Sequence, residues 1–260
     1  MNQAETGLDL AIDTATMGFR YGAGVRGPEP EFRTLDTIRP SLRDPHCSGP
    51  SPVYSIAMDV RREEDEDDLK ARFLLFGVVV YAAGRLGKEP VRSQGHVHAI
   101  APHSGWSPPE LFEIWEGTAI VYAQEFTTDD PGRCIAVAAR PGEKVVVPPG
   151  WAHAVINAET ESRMVFGAWC DRQYGFEYSG VRAHGGLAFF PLVAADGTIG
   201  WVANDRYRAV GLDQRRSRDY PELGLDPVAP IYEQYCRTPE SVGWIAQPQR
   251  VVELWPRFEP

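Results

Sequence analysis

Two histidines in an i, i+2 pattern constrain this chain more than any other feature of its sequence. They are His96 and His98, and a third histidine, His153, directly follows a Pro-Pro-Gly-Trp-Ala segment. Because side chains alternate along a β-strand, a His-x-His pair on a strand places both imidazoles on one face. With Glu110, these residues offer neutral imidazole and carboxylate donors, which suit a divalent Fe, Mn, Ni, Co or Zn ion. The pattern therefore predicts one divalent metal ion bound inside a β-structure.

The distribution of apolar residues predicts the fold around that ion. Short apolar segments rich in β-branched and aromatic residues recur from about residue 53 to 170, and glycine and proline separate them. Many short strands separated by turn residues are typical of a sandwich or a jelly-roll barrel. We therefore predict an all-β fold with an irregular arm in residues 1–50, a barrel in 51–208 and a short helical extension in 209–260 packed on the barrel.

The composition of the chain argues against several classes of binding partner and indicates a cellular compartment. A net charge of −10 argues against nucleic acid and anionic membranes, since both bind basic surfaces. No apolar stretch approaches the roughly 20 residues that span a bilayer, and the first residues lack the features of a signal peptide. The four cysteines form no Cys-x-x-Cys pair, so neither a disulfide framework nor a cysteine-based zinc site is expected. We predict a cytoplasmic protein with a small-molecule ligand. We expect the acidic run at 63–68 to be a solvated loop or hairpin tip, with a partner-binding patch as the alternative.

The spacing of the predicted ligands resembles the paired signature of the cupin superfamily, G-x5-HxH-x3,4-E-x6-G followed by G-x5-PxG-x2-H-x3-N. The second half is matched throughout, from Gly142 to Asn157. The first half departs twice, because Pro90 replaces the leading glycine and eleven residues separate His98 from Glu110. The extra residues predict a lengthened loop between the two ligand strands.

This loop leaves the identity of the carboxylate ligand open to alternatives. Glu113 and Glu116 also lie nearby, but only Glu110 keeps the six-residue step to Gly117. On a regular strand Glu113 would also face away from Glu110, because side chains alternate. We therefore favour Glu110 as the ligand and as the catalytic carboxylate. A cupin that has lost its metal and only binds a ligand is the alternative for the whole site.

Two more histidines lie outside the predicted ligand set. His103 lies in the lengthened loop, where an exposed position is expected and contact with substrate at the rim is the alternative. His184 lies beside two glycines, and a structural or surface role is expected for it.

The segment from about Val53 to Tyr207 resembles the cupin-type phosphoglucose isomerases of archaea and some bacteria. The matching stretches are residues 84–89, 93–99, 110–112, 147–153 and 174–178. The resemblance implies that His96, His98, Glu110 and His153 bind the metal and that an aldose phosphate and a ketose phosphate are interconverted. The metal would polarise the carbonyl group, and the carboxylate would move a proton between adjacent carbons. The resemblance also implies a homodimer with exchanged N-terminal strands.

Several positions that bind the sugar phosphate in that family are altered here. The resemblance assigns the substrate-binding positions to Val79, Ser93, Gly95, Phe112 and Cys170. Only Ser93 keeps a hydroxyl group, so the cavity is expected to be more apolar and poorer in phosphate donors. Arg92 and Lys88 are conceivable replacements, although we expect both to be solvated.

Three functions are therefore compatible with the sequence. The first is a metal-dependent isomerase acting on a sugar phosphate or a related hydroxy-carbonyl compound. The second is a non-haem iron oxygenase, which the more apolar cavity would suit, because a histidine-rich site with vacant positions can bind O₂ and substrate together. The third is a non-catalytic cupin that binds a metabolite.

Overall fold

Two mainly antiparallel sheets dominate the computed structural model, which describes residues 6–13 and 15–260. The strands are β1 (Leu10–Ile12), β2 (Phe19–Tyr21), β3 (Val25–Arg26), β4 (Glu31–Arg33), β5 (Tyr54–Met58), β6 (Arg61–Arg62), β7 (Leu74–Tyr81), β8 (Arg85–Leu86), β9 (Glu89–Pro90), β10 (Val97–His98), β11 (Glu110–Glu116), β12 (Ala119–Gln124), β13 (Cys134–Ala139), β14 (Lys144–Val147), β15 (Ala152–Asn157), β16 (Met164–Asp171), β17 (Phe176–Glu177), β18 (Phe189–Val193), β19 (Ile199–Ala203) and β20 (Leu212–Arg216). The helices are short: α1 (Leu35–Ile38), α2 (Glu66–Ala71), α3 (Ser179–Ala183) and α4 (Ile231–Arg237). Within the described ranges no helix is long and apolar enough to cross a membrane.

The larger sheet has the order β14-β11-β16-β7-β5-β4, and the smaller sheet has the order β15-β12-β13-β20. Isolated bridges from Arg92 to Ile156 and from His96 to His153 place segment 92–98 along the free side of β15. Side chains from both sheets, such as Val79 and Val155, share one apolar core. The all-β prediction is confirmed, and the arrangement agrees with the predicted cupin jelly roll.

The larger sheet is covered on both faces. Along β7, Val79 and Tyr81 belong to the core between the sheets, whereas Phe76 and Val78 belong to a second core on the outer face. All residues of β7 are buried. Because side chains alternate between the two faces of a strand, complete burial of β7 requires that the outer face is covered as well.

The C-terminal residues provide that cover. Tyr232 of α4 stacks on Trp169 of β16 with ring centroids 5.3 Å apart, and its ring edge meets Phe76 at 5.1 Å. The indole N–H of Trp169 donates to the carbonyl of Ile231 at 3.1 Å. Earlier in the same extension, β20 adds a strand parallel to β13 at the edge of the smaller sheet. The extension therefore shares a core with the barrel.

Gly167 shows how tightly this outer face is packed. A Cβ atom at this position would lie 2.5 Å from ring atoms of both Phe76 and Trp115. Real side chains essentially never approach that closely, so two aromatic rings occupy the space that any other residue would need.

The acidic run is helical, which corrects the expectation of a loop or hairpin tip, although Glu63, Glu64 and Asp67 are exposed to solvent as expected. It forms a turn and the start of α2, and Leu69 of that helix is fully buried. The hydroxyl groups of Tyr232 and Tyr235 donate to Asp65 at 2.9 Å and to Asp68 at 2.8 Å. These carboxylates therefore bind the C-terminal extension of the same chain.

Candidate metal centre

Four ligand atoms meet between the two sheets. His96, His98, Glu110 and His153 each offer one donor atom, and these atoms all lie within 4.8 Å of one another. The backbones of His96 and His153 are joined by reciprocal N–H···O hydrogen bonds of 3.1 and 2.9 Å. The two-residue period of the strand brings His98 to the same side as His96, as the sequence predicts.

The hydrogen bonds of the imidazoles leave their other nitrogen atoms free for a cation. The Nδ1–H of His98 donates to the carbonyl of Pro108 at 2.9 Å, and that of His153 donates to the carbonyl of Trp151 at 3.2 Å. A carbonyl only accepts, so Nδ1 carries a proton in both rings and Nε2 faces the centre. In His98, and likewise in His96, Nε2 is buried with no hydrogen-bond partner among the described residues. Such orientation by backbone carbonyls is typical of histidine ligands of metals.

The carboxylate completes a donor set that fits one divalent ion. Oε2 of Glu110 lies 2.9 Å from Nε2 of His153 and 3.4 Å from Nε2 of His98. With Nδ1 protonated, the short separation needs a cation between these nitrogen atoms and the carboxylate: either a proton on Nε2, which gives the hydrogen bonds to Glu110, or a metal ion that replaces it. Three imidazoles and a carboxylate suit the borderline divalent ions, and the geometry does not choose among them.

The charge states favour the same conclusion. Burial by itself would raise the pKa of Glu110, but hydrogen bonds with His153 and His98 hold it well below its usual range. Burial lowers the pKa of His96 well below its ordinary value, and the other two histidines add to this effect. The centre therefore combines an ionised carboxylate with a neutral imidazole, the forms that bind metals.

The structure separates the alternative carboxylates from this centre. Glu113 lies on the outer face of β11 and accepts a hydrogen bond from the indole N–H of Trp115 at 2.8 Å. Glu116 pairs with Arg163 at 2.8 Å. Neither belongs to the cluster of potential ligand atoms, whereas Glu110 does.

A cavity of about 640 Å³, including its open mouth, adjoins the centre. Three of the predicted substrate-binding residues line it: Val79, Ser93 and Phe112. Gly95 and Cys170 are not among the residues that line it, and their assignment as substrate-binding residues stays a prediction. Gly95 has φ +87° and packs its backbone on Leu187. Cys170 lies behind Glu110.

Cys170 contacts the centre although it is absent from the cavity wall. Its S–H donates to Oε1 of Glu110 at 3.0 Å. Burial raises the pKa of this thiol well above its ordinary value, and the Glu110 carboxylate raises it further. Cys170 therefore remains a neutral hydrogen-bond donor that holds one carboxylate oxygen.

The lengthened loop is anchored at both ends. Nε2 of His103 lies 2.7 Å from Oδ2 of the fully buried Asp171, and the His103 ring stacks on Phe73 at 4.1 Å. The His103 side chain is only 13% exposed, which corrects the expectation of an exposed loop residue. Near the other end, the hydroxyl of Ser107 donates to the carbonyl of His98 at 2.6 Å.

The remaining candidates have structural surroundings. His184 bonds to the carbonyl of Gly180 at 2.9 Å and stacks on Tyr207, as expected for a structural residue. Arg92 was expected to be solvated, but it is 3% exposed and pairs with Glu89 at 2.6 Å. Lys88 is exposed and lies outside the cavity wall.

Several polar residues of the cavity wall are not among the predicted site residues. Arg33, Tyr54, Tyr81, Gln94 and Tyr178 all line the cavity. Four of them come from segments without a ligand motif, since only Gln94 lies beside the His-x-His pair. The alternation Glu-Phe-Arg on β4 would predict that Phe32 faces the core, yet Phe32 is exposed and Arg33 lines the cavity.

Known proteins resemble this chain along most of the barrel. A model of the glucose-6-phosphate isomerase (GPI) family matches residues 43–209. Six curated relatives match, and all are named glucose-6-phosphate isomerase. The protein from Thermococcus kodakarensis is 28% identical over 206 residues, which is 78% of this chain and 96% of the relative. The protein from Pyrococcus horikoshii is 29% identical over 157 residues, 60% of this chain and 74% of the relative.

Solved structures with lower similarity include seed and bacterial proteins. Vicilin from hazelnut (Corylus avellana) has a TM-score of 0.36 and 12% identity, covering 50% of this chain and 33% of its own. An oxalate decarboxylase from Bacillus subtilis has a TM-score of 0.35 and 12% identity, covering 50% of this chain and 29% of its own.

Proposed function

The chain belongs to the glucose-6-phosphate isomerase family, and on that premise we propose that it is a metal-dependent aldose–ketose isomerase. Its substrate would be a sugar phosphate or a related hydroxy-carbonyl compound. The observation that carries the proposal is the buried set of His96, His98, Glu110 and His153, whose donor atoms converge within 4.8 Å. The set opens onto a cavity whose wall combines apolar side chains with Arg33 and several phenols.

The proposed chemistry divides between the ion and the chain. When bound, a divalent ion would supply Lewis acidity for the carbonyl end of the open-chain sugar. Glu110 is ionised and buried, so it is suited to accept a proton from one carbon and return it to the next. Its second oxygen is held by the thiol of Cys170. Phe112 and Val79 line the same cavity and exclude water from the reacting carbons.

The two other functions have less support. The six curated relatives share the isomerase name, so an oxygenase is not favoured. A purely binding cupin would not require an ionised carboxylate among three histidines. The identity of the ion, a cytoplasmic location and a homodimer stay predictions. Elemental analysis of the purified protein, cell fractionation and light scattering would test them in that order.

The direct test is isomerisation by metal-loaded protein under anaerobic conditions. We expect glucose 6-phosphate or a related aldose to be converted to the ketose, with exchange of the C2 hydrogen for solvent deuterium followed by NMR. His96→Ala should abolish both conversion and metal binding, whereas His184→Ala, at a histidine outside the centre, should retain both. Absence of conversion for phosphorylated, acidic and neutral aldoses with each of the five metals would overturn the proposal.

A further inference from the structure

The cavity beside the metal centre has a single fixed cation on its wall. Among the described residues that line it, Arg33 is the only arginine or lysine. It comes from β4 in the arm, far in sequence from the metal ligands. Its position is set by the pairing of β4 with β5, in which Arg33 lies opposite Tyr54 and its carbonyl accepts the N–H of Val53 at 2.8 Å.

Two phenols lie on the same wall as this cation. Tyr54 and Tyr178 both line the cavity with Arg33. The ring of Tyr178 lies 6.1 Å from the ring of the metal ligand His96. Burial raises the pKa of Tyr54 and of Tyr178, so both hydroxyl groups keep their protons and can donate. The phenol of Tyr178 and the guanidinium group of Arg33 therefore share one cavity wall with the metal centre.

The guanidinium group is available to a ligand. Its partner Glu31 lies 2.9 Å away, but the Glu31 side chain is 64% exposed, and such surface pairs contribute little. A guanidinium carries five N–H donors, more than one carboxylate can use. Arg92, by contrast, donates to Glu89, to the carbonyl of Ser93 and to that of Ser41, so its donors are already used inside the protein.

We propose that Arg33, with the hydroxyl groups of Tyr54 and Tyr178, forms an anion site on the cavity wall. The site binds the anionic end of an open-chain sugar while its carbonyl end lies at the metal centre. The inference rests on the proposed function and names a specificity-determining residue for it. Planar guanidinium donors match both phosphate and carboxylate in a bidentate geometry. Between the two ends, the apolar side chains of Val79, Phe112 and Phe166 contact the carbon chain.

Steady-state kinetics test the site with three probes that differ at C6: glucose 6-phosphate, glucuronate and glucose. Metal-loaded protein should prefer one of the two anionic sugars over glucose. Arg33→Gln should lower kcat/KM for that anionic sugar about 10- to 100-fold, mainly through KM, because charge-assisted hydrogen bonds are lost. Arg33→Lys should retain part of the preference, since it keeps the charge and loses the fork.

The matched control is Arg26→Gln, at an arginine of the same arm whose side chain is 65% exposed and pairs with Glu63 outside the cavity. This variant should behave like the unaltered protein. Equal kcat/KM for the anionic sugar in Arg33→Gln and the unaltered protein would overturn the anion site and leave the isomerase proposal intact. A preference of the unaltered protein for glucose over both anionic sugars would likewise overturn the anion site and leave the isomerase proposal intact.

A binding experiment separates failure of the site from failure of the isomerase proposal. Inorganic phosphate is titrated calorimetrically into the metal-loaded protein and both variants. The site predicts phosphate binding that weakens about tenfold or more in Arg33→Gln and not in Arg26→Gln. If no sugar is isomerised but this pattern is seen, the anion site stands and the isomerase proposal fails. If Arg33→Gln binds phosphate as the unaltered protein does, the anion site is wrong whatever the kinetics show.

Discussion

Two carboxylates three residues apart on β11 have opposite properties. Glu110 faces the core between the sheets, and hydrogen bonds with two histidines hold its pKa well below the usual range. Glu113 faces the outer core beneath the C-terminal extension, and burial raises its pKa to about 7. Both side chains are buried, so burial alone does not decide the charge state. The partners on each face decide it.

The surroundings of Glu113 explain the difference. Its neighbours are the indole N–H of Trp115 at 2.8 Å, the backbone N–H of Ile231 at 3.4 Å and the ammonium group of Lys144 at 3.9 Å. These partners offset only part of the cost of removing a charge from water. One face of the strand is therefore arranged for a charged ligand set, and the other for packing.

The largest expected effect is on the inner face. Glu110→Gln should lower kcat about 10²- to 10⁴-fold, because it removes both the proton acceptor and the charge that binds the ion. Metal affinity, measured by competition with a chelator, should fall with it. The matched control is Glu113→Gln, which should keep metal affinity. Equal losses of metal affinity in Glu110→Gln and Glu113→Gln would contradict the different roles assigned to the two faces of β11.

On the outer face, truncation of a large side chain should affect stability and spare the centre. Trp169→Ala removes a ring that packs on Phe76, Tyr232 and Tyr235, so we expect a loss of about 3 to 5 kcal/mol in urea unfolding. Metal affinity of the folded variant should be unchanged, although Trp169 is the neighbour of Cys170. A large fall in metal affinity would show that the two faces are coupled.

Glu113 should make stability depend on pH. Its pKa is about 7 in the folded protein against 4.5 ordinarily, so the unfolded chain ionises first as pH rises. Stability is unaffected by this group below pH 4.5, falls between 4.5 and about 7, and stays lower above 7, by up to about 3 kcal/mol.

Glu113→Gln removes the titrating group and should flatten this decline. Urea unfolding of both proteins at pH 5, 6, 7 and 8 measures the difference, and other titrating groups cancel because they are common to both. Parallel curves for the two proteins would contradict a neutral, buried Glu113.

The smallest effect is expected from the lengthened loop. His103→Gln removes the bond to Asp171 that anchors the loop between the two ligand strands, so metal affinity should fall about tenfold. His184→Gln is the control, since His184 is also a bonded histidine but lies outside the loop. Unchanged affinity in His103→Gln would mean that the bonds of Ser107 and Pro108 to His98 suffice.

The parts of the site that the sequence predicts are those set by local periodicity. The i, i+2 step places His96 and His98 together, and alternation along β11 separates Glu110 from Glu113. Both follow from strand geometry alone. In the same way, short apolar segments between glycine and proline predict the sheets without any tertiary information.

The rest depends on contacts between distant segments, which no local pattern encodes. Arg33 reaches the cavity because β4 pairs with β5, and His103 is held by Asp171, which lies 68 positions later. The run at 63–68 is a helix start rather than a free tip because tyrosines from the extension bind it. Side chains that look solvated in the sequence acquire partners only when the chain folds.

The shared core of barrel and extension has a consequence for how such a chain can be shortened. A stop codon near residue 208 would leave the part that the family model matches, yet Phe76 and Trp169 would lose the tyrosines that cover them. A contiguous aromatic surface of that kind promotes aggregation. Domain trimming for expression or crystallisation should therefore keep residues 209–260, because this segment, which lies beyond the match to the family model, contributes many residues of the outer core.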